Sequence, residues 1–326
     1  MTEGILAAVI ATRPQAGRIR PARATAHRAG LIAIWTAFVL LMLFVAAYFV
    51  VSAVVADKLS HPARSKIAEL PSQYGLAYED VSFTSTDGTP LSGWYIDAPN
   101  NEGRVIVMMH GRDGIRDGYP AMPVAAAMVG AGYDVFAFDF RAHGLSGGER
   151  YSMGQWETRD VTAALDLVKA RGATAIGAYA SSMGGATELM AAVEHPEIKA
   201  VMADSAFANL PELLVTQMPE ASGLPAFFNP GIFDMAKLLY GIDLWNNKPE
   251  EAVAKLGDRP LYFVHSEIDN QIPAQHTLDL YAAAQAAGNT NASYWIAPGE
   301  EHVRAYRNHP EEYVQRMLAF YDAYLK

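Results

Sequence analysis

The sequence predicts an α/β protein, with a mostly parallel, eight-stranded sheet covered by helices on both faces and one long apolar helix before it. From about Tyr78 onward, short apolar runs alternate with longer helical patterns, which favours parallel strands joined by helices. The run from Arg104 to His110 is continuously apolar in its middle, as in a strand buried on both faces of a sheet. Between Ala173 and Gly185 a strand pattern passes into a helical pattern with no linker.

The apolar helix comes first in the chain. Residues 31–56 are apolar except for one threonine and one serine. At about 1.5 Å per residue, a helix of this length exceeds a hydrocarbon core of about 30 Å. A cleaved secretory signal ending at Ala56 is the alternative, but the apolar region is long for a signal and a tail precedes it. We therefore predict a transmembrane helix over 31–56, after an Arg-rich tail over 1–30 and before a linker over 57–77.

Basic residues are more numerous before this helix than after it. Five arginines precede it and three basic residues follow it closely, namely Arg13, Arg18, Arg20, Arg23 and Arg28 against Lys58, Arg64 and Lys66. This asymmetry favours a single-pass protein with its N-terminus inside and the chain after the helix outside the cytoplasm. The arginine and alanine content also resembles a transit peptide, although the serine enrichment of such peptides is missing.

Composition excludes several classes of function. The 326 residues contain no cysteine, which excludes disulfides, thiolate metal sites and a cysteine nucleophile. Residues 67–326 carry 17 basic and 33 acidic side chains, a net charge of −16. A surface this acidic repels nucleic acid, so we expect no nucleic-acid partner.

Strands and helices follow in a regular order. Residues 78–83 and 91–96 flank the turn residues Asp87 and Gly88 and are predicted to form an antiparallel hairpin. The further predicted strands cover 104–110, 133–140, the run from 173, 199–204, 260–265 and 293–296. The predicted helices cover 120–129, 156–170, 275–287 and 311–324, besides the helix that begins at Met183.

An apolar insertion interrupts this order over about residues 207–247. The residues that make this insertion apolar are Leu210, Leu213, Leu214, Met218, Leu224, Phe227, Phe228, Ile232, Phe233, Met235, Leu238, Leu239 and Tyr240. One interpretation is a helical cap whose apolar face covers the acyl or aromatic part of a substrate. The alternative is that the same residues pack on the edge of the sheet.

Ser182 stands where the predicted strand turns abruptly into a helix. Such a turn is strained, exposes the serine hydroxyl and tolerates only small residues two positions before and after it. Ala180 and Gly184 meet this demand. Centring the motif on the neighbouring Ser181 would instead put a tyrosine and a methionine at those positions. Ser182 is therefore the predicted nucleophile.

Other chemistry-bearing residues follow the predicted strands. In parallel sheets, sites collect at the carboxyl ends of strands. His110-Gly111-Arg112 ends one strand, Asp269 lies four residues past His265, and His302 lies six residues past Ile296. A serine hydroxyl needs a histidine to take its proton and a carboxylate to orient that histidine. Both types of residue are available at this edge.

These motifs resemble those of the α/β-hydrolase superfamily, over about residues 78–326. Ala-x-Ser-x-Gly around Ser182 resembles the family's nucleophile elbow, and 261–273 resembles its strand-His-Gly-x-x-Asp-x-x-Ile-Pro segment. Residues 141–148 resemble its Arg-Gly-x-Gly-x-Ser loop, which we interpret as part of the pocket wall. The chain departs from the family pattern where a glycine is replaced, at Ala142, Ala180 and Ser266.

The resemblance implies the α/β-hydrolase fold and a Ser182, Asp269 and His302 triad in the chain order of that family. His302 lies between the last strand and the last helix, where the family places its catalytic histidine, whereas His110 and His265 would be structural neighbours of the pocket. Asp204, which ends the preceding strand, is the alternative acid. Glu267 is interpreted as a surface carboxylate.

The resemblance also implies an oxyanion hole made of the backbone amides of Met183 and Arg112. The Arg112 side chain is interpreted as a solvated loop residue, with an anion contact in the pocket as the alternative. No His/Asp/Glu cluster has metal-ligand spacing, the Gly-rich loop at 141–148 lacks the lysine of a P-loop, and no cofactor is required.

The predicted function is a membrane-anchored serine hydrolase that cleaves carboxylic esters, with lipid-like or other apolar acyl esters as substrates. The motifs resemble those of lysophospholipase-like and serine-aminopeptidase-like members of the superfamily. A serine peptidase with the same triad is one alternative. A non-catalytic, membrane-tethered binding module is the other, because a fold does not by itself imply an activity.

Overall fold

A computed structural model describes residues 22–99, 102–299 and 301–326. The chain divides into two units, which meet between residues 48 and 49. Helix α1 (Ala22–Leu59) begins in the first unit and ends in the second. Its residues 27–59 contain an 18-residue stretch with a mean hydropathy of 2.8, and they are long and apolar enough to cross a membrane. The predicted tail arginines Arg13, Arg18 and Arg20 lie outside the described residues.

The second unit is built on an eight-stranded sheet. Its strands are β1 (Tyr78–Thr84), β2 (Pro90–Ile96), β3 (Arg104–Met109), β4 (Asp134–Asp139), β5 (Ala175–Ser181), β6 (Ile198–Asp204), β7 (Leu261–Ser266) and β8 (Ala292–Ala297). They lie in the order β1-β2-β4-β3-β5-β6-β7-β8. Strand β2 pairs antiparallel with both of its neighbours, and all other pairs are parallel. The predicted hairpin and the predicted mostly parallel sheet are confirmed.

Helices connect the strands and cover both faces of the sheet. They are α2 (Ala121–Gly130), α3 (Glu157–Ala170), α4 (Met183–Ala191), α5 (Leu210–Ser222), α6 (Asn229–Tyr240), α7 (Pro249–Val253), α8 (Gln275–Ala286), α9 (Ala305–Asn308) and α10 (Pro310–Tyr324). Short 3₁₀ turns cover Pro71–Tyr74, Ala226–Phe228 and Leu244–Asn246. The short helices α7 and α9 were not predicted, because neither is long enough to show a helical period.

Two apolar clusters fill the space between the sheet and its helices. One lies against α3, α4 and α8 and includes Val107, Phe138 and Leu165. The other lies against α2 and α10 and includes Ile106 and Met317. Neighbouring residues of β3 therefore belong to opposite clusters, since successive strand side chains point to opposite faces. This explains why β3 reads as a continuous apolar run.

The predicted cap consists of α5 and α6. Asn209 caps α5 by accepting a hydrogen bond from the Glu212 amide at 3.2 Å. A third apolar cluster joins both helices through buried side chains such as Leu214 and Ile232. By contrast, Leu238 is 75% exposed. The apolar residues of the insertion therefore divide between a buried face and a solvent-facing one.

The predicted linker, 57–77, is part of the second unit and is hydrogen-bonded to other segments of it. The Arg64 guanidinium donates to three carbonyl oxygens of the 141–148 loop, at 2.6–3.0 Å. The Asp117 carboxylate accepts from the amides of Ala68 and Glu69 at 2.6 and 2.8 Å. Residues 64–69 are thus fixed at two points, a feature that local sequence patterns did not indicate.

Candidate active site

Ser182 lies at the end of β5, on a strained turn into α4. Its φ and ψ angles of 53° and −122° are rare for a residue with a side chain. Gly184 permits the turn, because a Cβ atom there would lie 2.5 Å from the His110 carbonyl oxygen and 2.8 Å from that of Met109. The small residue expected two positions after the serine is therefore required by the close approach of α4 to β3.

The Ser182 hydroxyl faces His302. The Oγ atom of Ser182 lies 2.9 Å from Nε2 of His302, and Nδ1 of His302 lies 2.6 Å from Oδ2 of Asp269. Because a carboxylate only accepts hydrogen bonds, Nδ1 carries a proton and Nε2 of the neutral ring is left to accept from the serine. The arrangement matches that of a nucleophile, a base and an orienting acid.

The Asp269 carboxylate is held on both oxygens. Oδ1 accepts from the amides of Gln271 and Ile272, each at 2.8 Å. Burial by itself would raise the pKa of Asp269, but hydrogen bonds from His265, His302 and Ile272 outweigh it and hold the pKa below its usual value. Asp269 therefore stays ionised at neutral pH.

His265 is a partner of this carboxylate that sequence reasoning did not assign to it. Its Nε2 atom lies 2.7 Å from the Ile272 carbonyl oxygen and 3.3 Å from Oδ2 of Asp269. Since a carbonyl only accepts, this nitrogen carries a proton that is directed at the Asp269 loop. The Thr277 hydroxyl lies 2.8 Å from the other ring nitrogen. The sequence feature that could have indicated this contact is the position of His265, four residues before Asp269.

The alternative acids have other partners. The oxygens of Asp204 accept from the hydroxyls of Tyr313 and Ser205, at 2.8 and 2.9 Å. Burial raises the pKa of Asp204. Glu267 accepts from the amide of Gly299 at 2.9 Å in an exposed loop. The geometry therefore favours Asp269 as the partner of His302.

The predicted oxyanion donors flank Ser182. Met183 is the first residue of α4, so its amide has no acceptor within the helix. Arg112 follows Gly111, where an added Cβ atom would lie 2.9 Å from Cβ of Ser182. The loop after β3 thus passes directly beside the serine. The two amides remain predicted donors.

His110 and His143 support the wall of the site. Nε2 of His110 accepts from the Phe140 amide at 3.0 Å while Nδ1 donates to the Gly111 carbonyl at 2.7 Å. Nδ1 of His143 lies 2.8 Å from the Arg141 carbonyl oxygen. Burial lowers the pKa of each histidine to about 4. Both rings are neutral and fix loops.

Ser182 and His302 line an open cleft of about 400 Å³. Its walls include Tyr119, Tyr179, Phe207, Leu213 and Arg304. Ligand sites of this size are commonly apolar with a few polar groups that fix orientation. The cleft can hold a carbonyl substrate beside the Ser182 hydroxyl.

Comparisons with known proteins agree with the fold. The sequence model of the family described as serine aminopeptidase, S33, matches residues 100–232. The chain is 27% identical to the Escherichia coli K12 protein YfhR over 252 residues, which are 74% of this chain and 80% of that protein. It is 26% identical over 259 residues to the α/β-hydrolase domain-containing protein WAV2 of Arabidopsis thaliana, covering 78% and 82% of the two chains.

Solved structures extend this similarity. The Pyrococcus furiosus esterase Pf2001 superposes with a TM-score of 0.69 at 26% identity, over 82% of this chain and 98% of that chain. Est1E of Butyrivibrio proteoclasticus, solved with ferulic acid bound, superposes with a TM-score of 0.59 at 21% identity, over 74% and 97% of the two chains. The sheet order, the strained turn and these similarities lead to one conclusion: the chain belongs to the α/β-hydrolase superfamily.

Proposed function

We propose that the protein is a serine hydrolase that cleaves carboxylic esters through an acyl-enzyme. The observation that carries this proposal is the hydrogen-bonded series Ser182, His302 and Asp269, at 2.9 and 2.6 Å, on a strained turn beside an open cleft. A serine in this setting is an activated nucleophile.

The reaction follows from the positions of the protons. His302 Nε2 takes the hydroxyl proton while Ser182 Oγ attacks the carbonyl carbon. The amides of Met183 and Arg112 donate to the oxyanion of the tetrahedral intermediate. His302 then gives its proton to the leaving alkoxide, and the ester bond breaks. A water molecule repeats the sequence on the acyl-enzyme and frees the acid. Asp269 remains ionised and stabilises the protonated His302.

Esters are favoured as substrates by the similarity to the esterase Pf2001, which covers most of this chain. The match to the serine aminopeptidase model favours amides as a second candidate. The two are separated by kcat/KM for an acyl ester and for the anilide of the same acyl group. A greater value for the anilide would replace the esterase assignment with a peptidase.

A fluorophosphonate probe tests the mechanism on the full chain in detergent. We expect the wild-type protein and Ser181→Ala to be labelled and Ser182→Ala to remain unlabelled. Ser181 is the matched control because it is the last residue of β5, one position away. A folded wild-type protein that is never labelled would refute the serine-hydrolase mechanism and favour a binding module.

We further propose that residues 31–56 of α1 anchor the protein in a membrane, with 57–77 as the connecting segment and 78–326 as the hydrolase domain. The length and apolar composition of α1 support the anchor, and the basic residues before it favour an inward N-terminus. Single cysteines test the orientation cleanly, since the chain has none of its own. An impermeant maleimide should label Lys326→Cys, but not Thr2→Cys, in intact cells. The reverse labelling would invert the proposed orientation.

A further inference from the structure

A second cavity adjoins the catalytic cleft. It has a volume of about 380 Å³, within the range of small-molecule sites, which is about 300–1,000 Å³. Its apolar walls come from the last turns of α1 and from the cap and the segment that follows it, and include Ala56, Leu59, Leu214, Met218, Ile232 and Ile242. Ser60, Ser152, Glu220 and Asn270 also line the cavity. A hydrocarbon chain would cover the apolar walls without leaving a hydroxyl of its own unpaired.

The two cavities share a boundary. Arg112, Met153, Gln217 and Gln271 line both of them, and the catalytic cleft also contains Ser182 and His302. A molecule with its carbonyl group at Ser182 can therefore extend an apolar chain past these four residues. Arg112, Gln217 and Gln271 are the polar side chains of this boundary, and the apolar residues Ala56, Leu59, Ile232 and Ile242 line only the second cavity.

The end of α1 is a fixed wall of this cavity. Ser52, Ala56 and Ser60 are buried at four-residue intervals, so one side of this part of the chain packs against other elements of the second unit. The Asp57 carboxylate accepts from the Arg150 guanidinium at 2.6 Å and from the Tyr240 hydroxyl at 2.9 Å. The Arg150 guanidinium also lies over the Tyr240 ring, 3.9 Å from its centroid. These contacts hold Ala56 and Leu59 in place beside α6.

We propose that this second cavity binds the hydrocarbon chain of a long-chain acyl ester, and that the last turns of α1 are part of the acyl-binding site. The inference rests on the proposed function and names its substrate class. Ala56 and Leu59 belong to the same helix as the apolar span. The helix that anchors the protein thus also contributes to substrate selection. Lipid esters are the matching substrate class, because their acyl chains are apolar like the walls of the cavity.

Tryptophan substitutions that fill the cavity test this proposal. Ala56→Trp and Ala236→Trp place a large ring at positions that are 4% and 3% exposed and line the cavity. Val54→Trp and Leu238→Trp are matched controls on the same two helices, at positions that are 62% and 75% exposed. All four are made in the full chain and assayed in lipid nanodiscs, so that detergent does not occupy the cavity.

The measurement is the ratio of kcat/KM for the dodecanoyl p-nitrophenyl ester to that for the acetyl ester, in which only the acyl group varies. We expect the wild-type protein to prefer the dodecanoyl ester. The ratio should fall at least about tenfold in both cavity variants. Excluding two methylene groups of the acyl chain from an apolar site is enough to lower kcat/KM by this factor. The controls should keep the wild-type ratio.

Labelling of Ser182 by a small fluorophosphonate separates the possible failures. The proposed acyl site is overturned if the wild-type protein has equal kcat/KM for the two esters, or if cavity variants that are labelled keep the wild-type ratio. Either result leaves the hydrolase mechanism intact. Absence of labelling in the wild-type protein overturns the hydrolase mechanism itself. If a tryptophan variant is not labelled because it misfolds, Ala236→Leu repeats the comparison with less added volume.

Discussion

Nε2 of His265 lies 3.3 Å from Oδ2 of Asp269, the same carboxylate oxygen that Nδ1 of His302 contacts at 2.6 Å. One oxygen thus faces two histidines, and one of them, His265, is fully buried and bound to the Ile272 carbonyl. His302 alone reaches Ser182. The acid of the proposed triad is therefore positioned by a group that does not take part in proton transfer.

We expect His265→Leu to lower kcat by about 10- to 150-fold, because one lost hydrogen bond to a charged group costs about 1.5–3 kcal/mol. KM should change little, because His265 acts on Asp269 and not on the substrate. His265→Gln, which keeps a donor, should recover part of kcat. An equal loss in both variants, with KM rising, would indicate a general disturbance of the fold.

Replacement of the acid distinguishes the two aspartates. Asp269→Asn removes the acceptor that fixes the His302 tautomer, so kcat should fall by about 10³- to 10⁴-fold. Asp204→Asn is the matched control, because that carboxylate is bound by Tyr313 and Ser205. Steady-state hydrolysis of one ester by both variants decides the assignment. Greater damage from Asp204→Asn would make Asp204 the catalytic acid.

Gly184 offers a test of the strained turn. Gly184→Ala would place a Cβ atom against the carbonyl oxygens of Met109 and His110, so we expect a loss of about 1–3 kcal/mol in the free energy of unfolding. Gly130→Ala is the control, because no atom lies within 4 Å of the added Cβ in α2. Thermal unfolding of the two variants gives the comparison. Equal melting temperatures would contradict the close approach of α4 to β3.

The burial of Glu188 predicts that the stability of the protein depends on pH. It is fully buried in α4, and neither carboxylate oxygen has a hydrogen-bond partner within the described part of the chain. Burial raises its pKa well above 4.5, so the native state holds a proton that the unfolded state releases above that pH. Stability is therefore lost as pH rises from 4.5 toward the native pKa.

The variant Glu188→Gln removes this titration. We expect the variant to gain stability over the wild-type protein by up to about 1 kcal/mol for each pH unit above 5. Melting temperatures measured from pH 5 to pH 8 give the difference. A constant difference between the two proteins across that range would show that Glu188 does not titrate with folding.

The pattern of apolar residues along the chain determined the secondary structure. The strand bounds agree with the predicted ones to within two residues, because a buried strand must be apolar over its whole length. The abrupt turn at Ser182 was also predictable from the sequence, because only small residues such as Ala180 and Gly184 fit beside it. These features depend on neighbours within a few residues.

The tertiary structure decided the features that depend on distant residues. Ser182 and His302 are 120 positions apart, and Asp269 and Asp204 both follow strands at the same sheet edge, so only the fold shows which carboxylate meets the histidine. The pairing of Asp57 with Arg150 and Tyr240 spans 93 and 183 positions. Local patterns contain no information on such pairs, because side-chain direction and strand register place them only when the chain is folded.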